Sequence, residues 1–194
     1  RKYFCHPTTN EKVTVFLDPC HSLKLLRNYL GEHKSIIDDN NDIIQWEYFS
    51  QLHDIQVKEG LHLDPTMNTG LRVQHIQYNK QKMKVKLAVQ VFSASVGDAL
   101  DICKSDLQFP ACAESAATIR FIRINDLFDT LNSMSMKQMG FKKPLHKHAL
   151  REGYTYLSQL RNTKDNQLLM YSKSKAVLGF MICIKSLTIL YDDI

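Results

Sequence analysis

The stretch Ala116–Leu131, AATIRFIRINDLFDTL, constrains this chain more than any other. Phe121, Ile124, Phe128 and Leu131 recur at i, i+3, i+7 and i+10, with Ala117 one turn earlier. That spacing predicts one helix with an apolar stripe turned to a core. Polar groups enter near its end: Asp129 and Asn132 stand three apart and share one helix face. Two readings follow. The face is the wet side of a core helix, or it is a base-reading face, a carboxylate and an amide beside an aromatic ring.

The surrounding chain narrows the choice. At 194 residues, 44% hydrophobic and 23% charged, it has the length and composition of a globular protein with one good core or two small ones. Its longest apolar run, Ala176–Ile184, is nine residues, far short of a bilayer span. It starts at Arg1 and stops at Ile194, and is read as a piece of a larger protein. Five scattered cysteines argue for reduced thiols. Cys5-His6 and Cys20-His21 lack the Cys-x-x-Cys or His-x-x-x-His spacing of a zinc site.

The net charge is +5, and it is laid out in blocks. Eight acids lie between Glu32 and Asp64; from Pro65 to Gly97 there are none, against Arg72, Lys80, Lys82, Lys84 and Lys86. From Lys137 to Lys175 nine Lys and Arg face only Glu152 and Asp165. Such blocks suit a polyanion, free nucleotide or nucleic acid, or else they are simply a solvated basic face.

Lys12–Leu17 reads as a strand, and Asp18-Pro19 as the cap and first position of a helix carrying Leu23, Leu26 and Leu30 and ending at Gly31. Asp18 also stands at a strand end, where nucleases place a metal-binding carboxylate; capping explains it without a metal. Asp42 is expected to cap a second helix with Gln45 in a capping box, its buried face formed by Ile44, Tyr48, Leu52 and Ile55. Leu71–Phe92 is helical with a break near Asn79, and Met83, Leu87 and Val91 share a stripe. Ser93 restarts a helix that runs to Cys103. His148–Leu160 is another helix, Arg161–Gln167 a loop, and Val177–Tyr191 a buried helix. P-loop, G-x-G-x-x-G and Asn-Lys-x-Asp signatures are missing, and no nucleophile set can be assembled.

Three segments in order, FLDPCHSLKLLRN (Phe16–Asn28), YNKQKMKVKLAVQVFSASVGDAL (Tyr78–Leu100) and ATIRFIRINDLFDTLNS (Ala117–Ser133), resemble the P-element transposases and their THAP-domain descendants. Gly179-Phe180 fits too, although the Thr-Gly expected before it is missing. The resemblance spans nearly the whole chain. It implies a mainly α fold: residues 1–30 as the end of the first half of an RNase H-like α/β domain, then residues 31–194 as a helical insertion that binds GTP without a P-loop. The catalytic aspartates would lie upstream and the glutamate downstream, so this fragment would not cut DNA.

By the same resemblance GTP, with Mg2+ on its phosphates, is a cofactor for assembling transposon DNA ends and is not hydrolysed. Phe128 would stack the guanine, Asp129 would accept from its N1–H and amino group, and Asn132 would complete the base edge. Lys84, Val85 and Ser93 would line ribose and phosphates, with Asp192 or Asp193 approaching the base. The partners implied are transposon DNA and further copies of the full-length protein, in the nucleus. The alternative is a basic helical module of a domesticated transposase that binds DNA or protein with no nucleotide site; the departure within SKSKAVLGF leans that way.

Overall fold

A computed structural model of the chain describes residues 3–59, 69–132 and 144–193, with the backbone alone at 59, 144–146 and 191–193. The architecture is mainly helical, as expected. A hairpin of β1 (Tyr3–Cys5) and β2 (Lys12–Thr14) leads into α1 (Pro19–His33). A small antiparallel sheet follows, with β3 (Ser35–Ile37) between β4 (Ile43–Gln45) and β5 (Arg161–Asn162). The remaining helices are α2 (Glu47–Glu59), α3 (Val73–Ile76), α4 (Val85–Val91), α5 (Ala94–Ser105), α6 (Ala116–Ile122), α7 (Ile124–Asn132), α8 (Pro144–Gln159) and α9 (Ala176–Asp193).

The hub is α1, which packs against α9, α4 and α7. Asp18 caps it: a side-chain oxygen accepts from the Cys20 N–H at 2.9 Å, and Pro19 stands in the first turn, where no donor is missed. Leu23, Leu26 and Leu30 are fully buried or nearly so. The helix does not end at Gly31. It runs to His33 and closes at Lys34, whose φ of 69° supplies the left-handed cap. Gly31 instead allows close approach, since a Cβ there would lie 2.6 Å from the Tyr78 ring. The strand before α1 is shorter than expected. Beyond Thr14 the chain stays extended, and the Val15 and Leu17 carbonyls accept from Ser186 Oγ and Cys183 Sγ of α9 instead of a strand neighbour.

Three other expectations are corrected. Asp42 caps no helix. Ile43–Gln45 is a strand, and α2 begins at Glu47. The acidic turn before that strand folds around buried Asp38, which accepts from the Asn40 and Asp42 amides and pairs with Arg120 of α6. The helical stretch expected from Leu71 does break near Asn79, but more widely than expected: it becomes α3, a 3₁₀ turn at Tyr78–Gln81, and α4. Arg27 and Asn28 take the Gln81 and Lys82 carbonyls, which a continuous helix would need for itself. Met83 accordingly leaves its stripe and is 77% exposed, while Leu87 and Val91 stay buried.

The stretch Ala116–Leu131 is two helices hinged at Arg123, with α6 against α5 and β4, and α7 against α1 and α8. The stripe survives the hinge: Ala117, Phe121, Ile124 and Phe128 are all buried. Phe121 meets Phe92 edge-on at 5.4 Å, and Phe92 meets Phe49 at 6.1 Å, so one aromatic chain joins α6, the end of α4 and α2. Among the described residues no helix is long and apolar enough to cross a membrane.

Candidate nucleotide site

The residues expected to read the base lie on α7. Asn125, Asp129 and Asn132 fall at i, i+4 and i+7, so one face carries all three. Asn125 Nδ2 donates to Asp129 Oδ2 at 2.9 Å, while Asn125 Oδ1 is buried without a partner. Burial, and then the neighbouring Asp126 charge, push the Asp129 carboxyl above its ordinary value, with the Asn125 bond opposing them. Asn132 Oδ1 lies 3.7 Å from Cys20 Sγ at the start of α1. Phe128, expected to stack on the base, is only 4% exposed and belongs to the core. Stacking on it requires the ring to move outward.

The cationic residues come from the α3–α4 region. Lys84 is the residue before α4 and is exposed; Val85 begins that helix and is half-buried. Lys84, Arg72, Lys86, His75 and Gln90 line a cavity of about 430 Å³, and no carboxylate is among its lining residues. His75 is buried. Its Nδ1 accepts from the Arg72 amide at 2.8 Å, and burial first, then the charges of Arg72, Arg27 and His53, lower its affinity for a proton. Ser93 stands at the other end of α4, where its hydroxyl donates to the Gln90 carbonyl at 2.8 Å and meets Ser95 Oγ at 2.9 Å. It reaches the cavity through Gln90 and does not line it.

Helix α1 runs from the Asn132 end of α7 to the turn that precedes Lys84. Cys20, Lys24, Arg27 and Asn28 form one stripe of that helix at i, i+4, i+7 and i+8. Cys20 meets Asn132, Lys24 Nζ lies 3.8 Å from Met83 Sδ, and Arg27 and Asn28 hold the carbonyls just before it. At about 1.5 Å of rise per residue, the Asn132 contact and the turn carrying Lys84 are roughly 6–10 Å apart along α1. Arg72, His75, Lys86, Gln90, Asn125 and Cys20 were missed by sequence reasoning. The acid-free block containing Arg72 and Lys86 was the only hint. Asp192 lies in the last turn of α9, and its side chain is outside the described residues. A second cavity of about 300 Å³, between α7 and α8, is lined by Leu127, Gly153 and Tyr156 and by none of the expected site residues.

The helical body thus carries an acidic and amide face on α7 and, across α1, a cavity lined by basic residues. Residues 20–144 match the family model described as "TNP-like, GTP-binding insertion domain", so the chain belongs to that family, of the P-element transposase type. Human DNA transposase THAP9 is 31% identical over 98% of this chain and 21% of its own length. The Transposable element P transposase of Drosophila melanogaster is 29% identical over 69% of this chain and 17% of its own. The chain therefore spans about a fifth of the curated relatives it matches. The Drosophila P element transposase strand transfer complex shares the fold: TM-score 0.80, 20% identity, all of this chain and 43% of that one.

Proposed function

We propose that this chain is the GTP-binding insertion of a P-element-like transposase, together with the end of the first RNase H-like half in residues 1–30. GTP serves as a bound cofactor that helps position transposon DNA and is not consumed. What carries this reading is the α1 stripe that joins the Asp129–Asn132 face to the cavity holding Lys84. Guanine presents two adjacent donors to a carboxylate, whereas adenine presents an acceptor at N1, so Asp129 is the discriminating group. Asn132 completes the edge, and the orphaned Asn125 carbonyl offers one more acceptor beside it. Lys84, with Val85, holds the phosphate side; Ser93 supports it through Gln90. Mg2+, where bound, would ride on the phosphates and water, since the cavity offers it no carboxylate. Asp192 remains a candidate for the far side of the base. Transposon DNA, further copies of the full-length protein and a nuclear location complete the proposal.

Calorimetric titration with GTP and ATP tests it. Hydrogen bonds to a charged acceptor are worth roughly 1.5–3 kcal/mol, so GTP should bind about tenfold or more tighter than ATP. Asp129→Ala should erase that preference; Lys84→Ala should weaken both nucleotides alike. Equal binding of the two by the unaltered chain, or none, would end the guanine reading. Burial of Phe128 favours a second reading, a basic DNA- or protein-binding module with no nucleotide, and that same null result would support it.

A further inference from the structure

Two arginines in this protein are handled in opposite ways. Arg120 is partly exposed and meets two carboxylates, Asp38 and Asp42. Arg27 is 0% exposed and pairs with no carboxylate among the described residues. Its Nη2 donates to the Gln81 carbonyl at 3.0 Å and the Lys82 carbonyl at 3.4 Å, while Nε and Nη1 are buried with no hydrogen-bond partner among the described residues. A buried cation with unmet donors is among the costliest features a core can hold. Packing alone does not explain it, because an apolar side chain of similar volume would serve packing better.

The surroundings deepen the anomaly. Arg27 stands behind the turn that leads into Lys84, and its charge is felt at His75, which lines the cavity with Arg72, Lys84 and Lys86. All five groups are basic, and none of the lining residues is acidic. Among the described residues no carboxylate lines this cluster, so the phosphates of a nucleotide would supply its counter-charge.

We propose that Arg27 is a positioning residue for the phosphates of the bound nucleotide: it fixes the Gln81–Lys84 turn from behind, and the phosphates supply its missing counter-charge. This rests on the guanine-nucleotide reading above. Asn28 and Lys24 assist from the same stripe, holding the Lys82 carbonyl and the Met83 sulfur. The role is specific to phosphate number. Guanosine contacts are made by α7, so Arg27 affects them little, whereas each added phosphate brings negative charge toward the basic cluster. A unit charge about 10 Å from a phosphate, at an effective dielectric of about 20, is worth roughly tenfold in binding.

The test is titration of the 194-residue chain with GTP and GMP, comparing wild type, Arg27→Met and Arg27→Lys. Arg27→Met should lower the GTP-to-GMP affinity ratio about tenfold or more, with GMP nearly unchanged, and Arg27→Lys, which keeps the charge, should restore most of the ratio. A wild-type ratio in Arg27→Met would overturn the inference while leaving GTP binding intact. A wild-type chain that binds neither nucleotide would instead defeat the guanine-nucleotide reading, and this inference with it. Should Arg27→Met fail to fold, the wild-type protein still decides. The Arg27 Nε–H resonance should shift on adding GTP and stay in place on adding guanosine; no difference between the two ligands sinks the proposal.

Discussion

Asp129 is exposed on α7, and in the proposed site its demands for stability and for binding differ. Its carboxyl is held above the ordinary range by burial and by Asp126, so the folded state binds the proton more tightly than the unfolded state does. Between the unfolded value, about 3.9, and the raised folded one, the native state carries more protons, so stability falls as pH rises through that window. Because the side chain is exposed, the cost of the ionised group at neutral pH is small, and Asp129→Asn should raise the melting temperature only slightly. Binding runs the other way, because only the carboxylate accepts from both guanine donors. The GTP preference should be full at neutral pH and should fade on acidification earlier than for an ordinary aspartate. Titrations at stepped pH values check this, and a preference that persists unchanged below the ordinary aspartate range would contradict it. Asp129→Asn should combine the higher melting temperature with loss of discrimination.

Among the elements, α1 has the most to lose, since one of its stripes feeds the core and another holds both halves of the candidate site. Its N-terminus depends on Asp18, whose side chain satisfies the otherwise unpaired Cys20 amide. Asp18→Ala should cost about 1 kcal/mol and Asp18→Ser should recover most of it, as read by chemical denaturation. Because Cys20 meets Asn132, fraying of this first turn should also loosen GTP more than it loosens inorganic triphosphate. At the other end, the Gly31 position leaves no room for a methyl group against Tyr78. Gly31→Ala should destabilise by about 1–3 kcal/mol through overpacking, despite the better helix propensity of alanine. A melting temperature equal to or above wild type would show that the Tyr78 ring yields freely.

For the molecule as a whole, the charge blocks point to a polyanion as well as to a nucleotide. Net +5 is a modest total, and its concentration in residues 65–97 and 137–175 is what matters. Lys142 and Lys143, adjacent lysines of the second block, lie outside the described residues. Weak, sequence-independent DNA binding should fall steeply with salt, with a slope of roughly −0.9 per neutralised phosphate in duplex DNA. Reversing both charges should flatten that slope, and GTP affinity should be untouched because the proposed phosphate cavity is lined by residues of the α3–α4 region. An unchanged salt slope would move the DNA contact elsewhere.

Local chemistry written in the sequence was enough for the helical class, the Asp18 cap, the start of α5 at Ser93 and the buried stripe through Phe121, Ile124 and Phe128. Each depends on spacing or on a neighbour a few residues away, and such interactions survive whatever the rest of the chain does. Contacts between distant residues decided the remainder. The pairing of Ile43–Gln45 with Ser35–Ile37 overrode a plausible capping box, because Ile44 fills the core better from a strand. Side chains of α1 captured the Gln81 and Lys82 carbonyls and widened the break expected near Asn79, turning Met83 outward. The site followed the same division. Asp129, Asn132 and Lys84 could be named from motif and spacing, but the course of α1 from Asn132 to the turn before Lys84 could not. Arg72 and His75 of the cavity, and Arg27 behind it, are separated by tens of residues in the chain, and only tertiary packing sets their charges against one another.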